Sequence, residues 1–194
     1  MVSEFLALDD SAALDAAEAA LRAGQPIVVP TDTVYGLAAL PSSTEILVSL
    51  KGRPESMPIA VLVASLDQAT SVASMSGAAD RLARRFWPGP LTIVMDRRGG
   101  DGTVGVRWPD HDFIRALARR VGPLAVTSAN RHGEPTPATA REAAAALIGD
   151  VALVVDGGRC DGVASTVVDA TGSGIAILRA GPIAEELIRA TALR

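Results

Sequence analysis

Six short polar clusters stand at the ends of apolar runs: "PTDTVYG" (30–36), "KGRP" (51–54), "TVGVR" (103–107), "TSAN" (127–130), "GVAST" (162–166) and "LRAG" (178–181). They supply small hydroxyls, a carboxamide and positive charge, and none forms a hydrophobic cage. Such an inventory suits an anion. Arginine grips a carboxylate or phosphate through two parallel hydrogen bonds, and N–H groups in tight turns face oxyanions. Lys51 is the one lysine among 18 basic residues. Its ammonium is a compact point charge on a mobile stem, whereas guanidinium is a rigid fork. Two readings of Lys51 stand side by side: a site for a phosphate or a shifting negative charge, or one lysine left by chance in an arginine-biased composition. A cation near a helix C-terminus is also favoured by the helix dipole, but arginine would serve equally well there. Each cluster taken singly has an ordinary reading as a turn or an exposed strand arginine.

Other chemistries fit less well. There is no GxxxxGK[ST] phosphate loop, and "GSG" at 172–174 reads as a hairpin turn. His111 in "PDHD" reads as a helix-start residue, His132 in "NRHGEP" as a loop residue beside a cluster, and neither lies near a GxSxG elbow. Cys160 is the single cysteine, which leaves no disulfide framework and no cysteine-based zinc site. No His/Asp/Glu spacing argues for a fixed metal, so any magnesium is expected to arrive with a nucleotide.

These clusters need a scaffold. Hydrophobic residues make up 48% and charged residues 21%, while aromatics are only 3%, so the core must be built from Ala, Val, Leu and Ile. A length of 194 residues predicts one domain, 1–194. The net charge of -4 argues against a sequence-independent grip on nucleic acid. "MVSEFLALDD" has no basic n-region, and no apolar run is long enough to span a bilayer, so the expected location is cytoplasmic.

The pattern predicts helices over "DSAALDAAEAALR", "TEILVSLKG", "GAADRLARRFW", "DFIRALARRVG", "AREAAAALIG" and "IAEELIRATAL". Ser42/Glu45 and Thr139/Glu142 have capping-box spacing. Strands are predicted at "PIVVP", "IAVLVAS", "LTIVMD", "TVGVRW", "PLAVTSAN", "VALVVDGG", "STVVDAT" and "GIAILRAG". Two strand pairs lie close in sequence, which predicts antiparallel neighbours. The fold class is therefore α/β, a mixed parallel and antiparallel sheet with flanking helices and no internal repeat.

Read in order, "PTDTVYGL", "KGRP…P", "WPGPLT", "VGVR.PDH", "PLAVTSAN..G.P", "DGG…GV.STVVD" and "LR.GP" resemble the motif series of the YrdC/Sua5 family, from about Val28 to about Pro182. The chain looks like the short form, without the extra C-terminal domain of longer members. The resemblance implies a twisted sheet with a concave cleft and L-threonylcarbamoyladenylate synthase activity. ATP, L-threonine and bicarbonate would give threonylcarbamoyl-AMP and pyrophosphate. Other proteins would then transfer the group to adenosine 37 of tRNA, with little or no direct tRNA binding by this chain.

By the same resemblance Lys51, Arg53, Ser128 and Asn130 line the nucleotide phosphates and carry catalysis. Met57, Thr103, Thr136 and Arg179 stand on the ATP side. Thr33, Arg107 and Ser165 stand at the threonine, with Arg107 on its carboxylate, and Leu62 and Val126 flank it. Tyr35 helps shape the pocket. Magnesium comes with ATP. Two positions depart from the family pattern: Leu62 stands where many members have histidine, and Met57 where some have asparagine. Three alternatives remain open: an RNA-binding module, a carbamoyl phosphate-dependent adenylate synthase, and a regulatory nucleotide binder without turnover.

Overall fold

In the computed structural model, which describes residues 4–193, the chain builds one sheet of 11 strands. Met1 to Ser3, part of the N-terminal stretch read above, and Arg194 lie outside the described residues. The strands are β1 (Glu4–Ala7), β2 (Ile27–Val29), β3 (Gly36–Ala39), β4 (Ala60–Leu62), β5 (Ala73–Ser74), β6 (Leu91–Arg97), β7 (Thr103–Arg107), β8 (Leu124–Ser128), β9 (Leu153–Asp156), β10 (Thr166–Asp169) and β11 (Ala176–Arg179). The helices are α1 (Ala13–Arg22), α2 (Thr44–Lys51), α3 (Leu66–Val72), α4 (Gly77–Phe86), α5 (Asp112–Val121), α6 (Ala140–Ala145) and α7 (Glu185–Ala192). The strand order is β1-β9-β2-β3-β8-β4-β7-β6-β10-β11, and β5 pairs with β6.

The expected mixture of directions is present. β6/β7 and β10/β11, the pairs close in sequence, are antiparallel, while β6/β10, β4/β7 and β2/β9 are parallel. The turn at 172–174 joins β10 to β11, as read from "GSG".

Strand alternation divides the sheet into two kinds of half. In β2, Ile27 and Val29 pack with α1 and α5 on one face, and Val28 packs with α2 and α6 on the other. This half is buried on both faces, which is why its strands read as continuous apolar runs. In β6, Leu91, Ile93 and Met95 join Val104 and Val106 of β7 and Val168 of β10 against α4 and α7. The intervening residues Thr92, Val94, Thr103, Gly105, Arg107, Val167 and Asp169 face a cavity instead. The open face of a half-covered sheet is thus the floor of the site.

Four elements were not anticipated. β1, β3, α3 and β5 are short, and "GLAA" is too small and apolar to show a period. β3 exists because it lies between β2 and β8, antiparallel to both. The helix expected from Asp10 begins at Ala13, because the Asp10 carboxylate accepts from Ala12 N and holds a turn.

The two capping boxes part company. Thr139 accepts from Glu142 N, and the Glu142 carboxylate accepts from Thr139 N at 3.0 Å. The box expected at Ser42/Glu45 is not formed: Pro41–Ser43 make a 3-10 turn, α2 starts at Thr44, and Ser43 makes no side-chain cap. Thr139→Ala should accordingly cost about 1 kcal/mol of folding free energy, and Ser42→Ala less than about 0.5 kcal/mol. Urea denaturation of the two variants checks the contrast.

Candidate active site

The cavity has a volume of about 620 Å³. It lies within the range of small-molecule sites. Strand ends and the turns after them supply its walls.

One wall is built on Lys51. α2 ends at this residue, and Gly52 turns the chain away in the left-handed region at φ 57°, where a side chain would be strained. Lys51 is 3% exposed. Its Nζ donates to the Ser128 carbonyl, to the Asn130 carbonyl at 2.6 Å and to Asn130 Oδ1 at 2.9 Å. Ser128 Oγ also donates to Asn130 Oδ1, and Asn130 Nδ2 donates to the carbonyls of Arg131 and Glu134. The lysine therefore holds the 128–134 turn in shape. The expectation of a mobile donor is corrected here: three acceptors saturate the three N–H groups of this ammonium and fix it in place. Burial and the nearby Arg53 charge pull its pKa down to about 8.

Arg53 reaches over the same wall, donating to Thr127 Oγ1 at 3.2 Å and to the Pro58 carbonyl at 3.1 Å. Its Nε is buried without a partner, and burial lowers its pKa.

The opposite wall is built on Arg107. Its Nε donates to the Gly89 carbonyl, Nη1 to Thr33 Oγ1 at 2.9 Å and Nη2 to Asp32 Oδ1 at 2.5 Å. Three of five N–H groups are used, so one on each Nη remains. Thr31 Oγ1 donates to the Val34 carbonyl and accepts from Thr33 N and Val34 N, which builds the turn that presents Thr33. Thr31 has then spent its proton, so Thr33 donates in their mutual contact at 3.1 Å. Gly162 packs on this turn so closely that an added Cβ would lie 2.0 Å from the Thr33 carbonyl oxygen.

Between the walls, Ser165 Oγ bonds Thr92 Oγ1 at 2.8 Å and accepts from Arg179 Nη2 at 3.1 Å. Burial and the Arg107 charge lower the Arg179 pKa. Like charges thus face one cavity in two pairs, Lys51 with Arg53 and Arg107 with Arg179.

Lys51, Arg53, Met57, Leu62, Thr103, Arg107, Val126, Ser128, Asn130, Ser165, Arg179 and Thr33 all line this one cavity. Thr136 lies on the exposed loop after Asn130, outside the lining. Tyr35 is fully buried behind the wall; its hydroxyl donates to the Gly158 carbonyl and accepts from Gly157 N, and burial pushes its pKa up to about 12. His111 precedes α5 as expected but makes no side-chain cap. Thr31, Thr92, Thr127, His132 and Asp169 join the lining without having been assigned a role from sequence. Thr92 had a visible signal, a hydroxyl between Leu91 and Ile93 in an apolar strand. A second hollow of about 540 Å³, beside the 172–174 turn, contains Arg81, already bonded to the Ala192 carbonyl, and none of the expected site residues.

Residues 19–181 match the family model Sua5/YciO/YrdC, which carries the description "Telomere recombination". The chain belongs to this family. A Mycobacterium tuberculosis relative is 42% identical, over 87% of this chain and 84% of its own length. The threonylcarbamoyl-AMP synthases of Pyrococcus abyssi and Bacillus subtilis are each 36% identical, over 87% and 97% of this chain. This chain spans only 54% and 59% of their lengths. Among solved structures, P. abyssi Sua5 complexed with L-threonine superposes with a TM-score of 0.89 at 32% identity, covering 98% of this chain and 60% of that one. E. coli YciO, with a TM-score of 0.82 at 22% identity, shares the fold.

Lys51 generates a pH prediction. Its folded pKa, near 8, lies below the unfolded value near 10.5, so the folded protein loses this proton first. Affinity for inorganic pyrophosphate should fall as pH rises from 7 to 9. Over the same interval the Lys51 contribution to folding becomes more favourable, because the unfolded chain still binds the proton. Calorimetric titrations at pH 7 and 9, with Lys51→Met as the control that loses the step, provide the check.

Proposed function

We infer that this chain is a threonylcarbamoyl-AMP synthase. It joins L-threonine, bicarbonate or carbon dioxide, and ATP into threonylcarbamoyl-AMP, with release of pyrophosphate. The observation that supports this best is the gathering of four cationic side chains, only one of them paired with a carboxylate, around one cavity, in a chain whose relatives carry that activity in their names.

The residues can do what the reaction needs. The two free N–H groups of Arg107 donate to the threonine carboxylate as a fork, and Thr33 and Ser165 hold its polar atoms. The threonine amine attacks the carbon of carbon dioxide, losing a proton to give a carbamate. A carbamate oxygen then attacks the α-phosphorus of ATP, and the bond to the bridging oxygen breaks. Pyrophosphate leaves with the bonding electrons. Carbamates decompose in water, so enclosing the reactants protects the intermediate and holds them in reach. Catalysis is then electrostatic, with Arg53, Arg179 and the wall fixed by Lys51 facing the growing negative charge. Magnesium bound to the triphosphate supplies further neutralisation. Among the described residues no group of three His, Cys, Asp or Glu could hold a metal independently of the substrate. The product is an activated acyl donor, and transfer to adenosine 37 of tRNA falls to other proteins.

Pyrophosphate release from ATP should require both L-threonine and bicarbonate, with the mixed anhydride visible by mass spectrometry. Release driven by carbamoyl phosphate, or none in any combination, would overturn the assignment. Arg107→Lys keeps a charge for Asp32 but loses the fork. It should raise the KM for threonine by roughly 10- to 100-fold while leaving ATP affinity within about twofold.

A further inference from the structure

The register of the cavity floor sorts its polar groups into two rows. Val167 of β10 pairs with Thr92 of β6 and with Arg179 of β11, and Arg107 of β7 follows Val106, the partner of Ile93. These residues form a row with a guanidinium at each end. Two residues along the strands, about 6.6 Å away, lies the next row: Gly105, its partner Val94, and Asp169, the parallel partner of Val94. The first row donates hydrogen bonds, and the second ends in an acceptor.

Asp169 is the sole carboxylate among the residues lining the cavity, which also presents Lys51, Arg53, Arg107 and Arg179. Its Oδ1 accepts from Thr171 N at 2.9 Å and Thr171 Oγ1 at 2.7 Å. Among the described residues its Oδ2 has no hydrogen-bond partner. A carboxylate repels phosphate, so its place in an anion site makes sense only where the ligand offers donors. Beside it the floor is bare. Gly105 has no side chain in mid-strand, where an added Cβ would meet Thr92 Cγ2 at 3.2 Å, and its absence leaves room for a ligand to approach the backbone. Val94 continues this flat surface, and Leu178, 58% exposed, stands at its edge.

A nucleotide with its α-phosphate at Arg179, the end of the row not given to threonine, has its sugar within one row's spacing of Asp169, since the sugar is bonded directly to that phosphate. We propose that Asp169 Oδ2 accepts hydrogen bonds from the ribose 2′- and 3′-hydroxyls of the bound nucleotide and thereby selects ribonucleotides. This rests on the nucleotide reading given above. The ribose is favoured over the base because it is the first donor-bearing group beyond the phosphate.

The test is calorimetric binding of ATP, 2′,3′-dideoxy-ATP and inorganic tripolyphosphate to the wild-type chain and to Asp169→Asn, each with magnesium and with EDTA. Asparagine keeps an oxygen for the Thr171 turn. The wild type should bind ATP at least roughly 10-fold more tightly than the dideoxy analogue. Asp169→Asn should reduce that ratio to about twofold or less, with tripolyphosphate affinity unchanged or higher. Equal wild-type affinities for the two nucleotides would overturn the inference while leaving the nucleotide reading intact. A ratio that survives Asp169→Asn would also overturn it, and so would one that vanishes without magnesium, which would make Asp169 a metal ligand. No ATP binding at all would overturn both readings.

Discussion

The structure depends on a sheet whose two halves are solvated differently. Around β2 and β9 both faces are covered by helices. Around β6, β7 and β10 one face is covered, and alternate residues point into a cavity. A strand reverses its side chains at every residue, so a one-residue slip would send Thr92 and Arg107 into the core and Ile93 and Val106 into the cavity. The apolar core on one face therefore sets the register of the polar floor on the other. The same alternation separates the arginine row from the row that carries Asp169.

Charge is the second organising constraint. Lys51 is buried with no carboxylate partner among the described residues; carbonyl and carboxamide oxygens compensate it. Arg107 is partly neutralised by Asp32, with side-chain exposures of 7% and 12%. Neither Arg53 nor Arg179 makes a salt bridge among those of the described residues, and each lies near another cation. Holding like charges together in a partly dry cavity costs folding free energy that an anionic ligand relieves. Removing one partner of a buried pair such as Asp32–Arg107 leaves an uncompensated charge, so Asp32 is as much a part of the site as the arginine it orients.

This arrangement suits an adenylation that needs no protein nucleophile. ATP and the threonine carboxylate carry negative charge, the carbamate intermediate is unstable in water, and a shared cavity keeps them adjacent. The lysine acts as a fixed support for the 128–134 turn, and the arginines and hydroxyls face the cavity. Gly162 serves the same end by letting the 157–165 segment close against the Thr33 carbonyl.

Much of this was legible in the sequence. The motif order from "PTDTVYG" to "LRAG" marked the residues that converge, because turns after strands follow local rules of residue type. Thr139/Glu142 and "GSG" were read correctly for the same reason. β3 and β1 were not legible, since "GLAA" and "EFLA" become strands only by pairing with partners distant in sequence. Asp32 and Asp169 sat in plain view, yet their roles depend on what lies across the sheet. The sequence by itself determined the residue types, the local turns and the alternation that gives each strand two faces. Only the tertiary structure decided which face was left uncovered, that Lys51 is fixed instead of mobile, that Thr136 stands outside the cavity, and that a lone carboxylate lies one row from the arginines. Those outcomes follow from pairings between strands far apart in the chain, and no local pattern encodes the register of such a pairing.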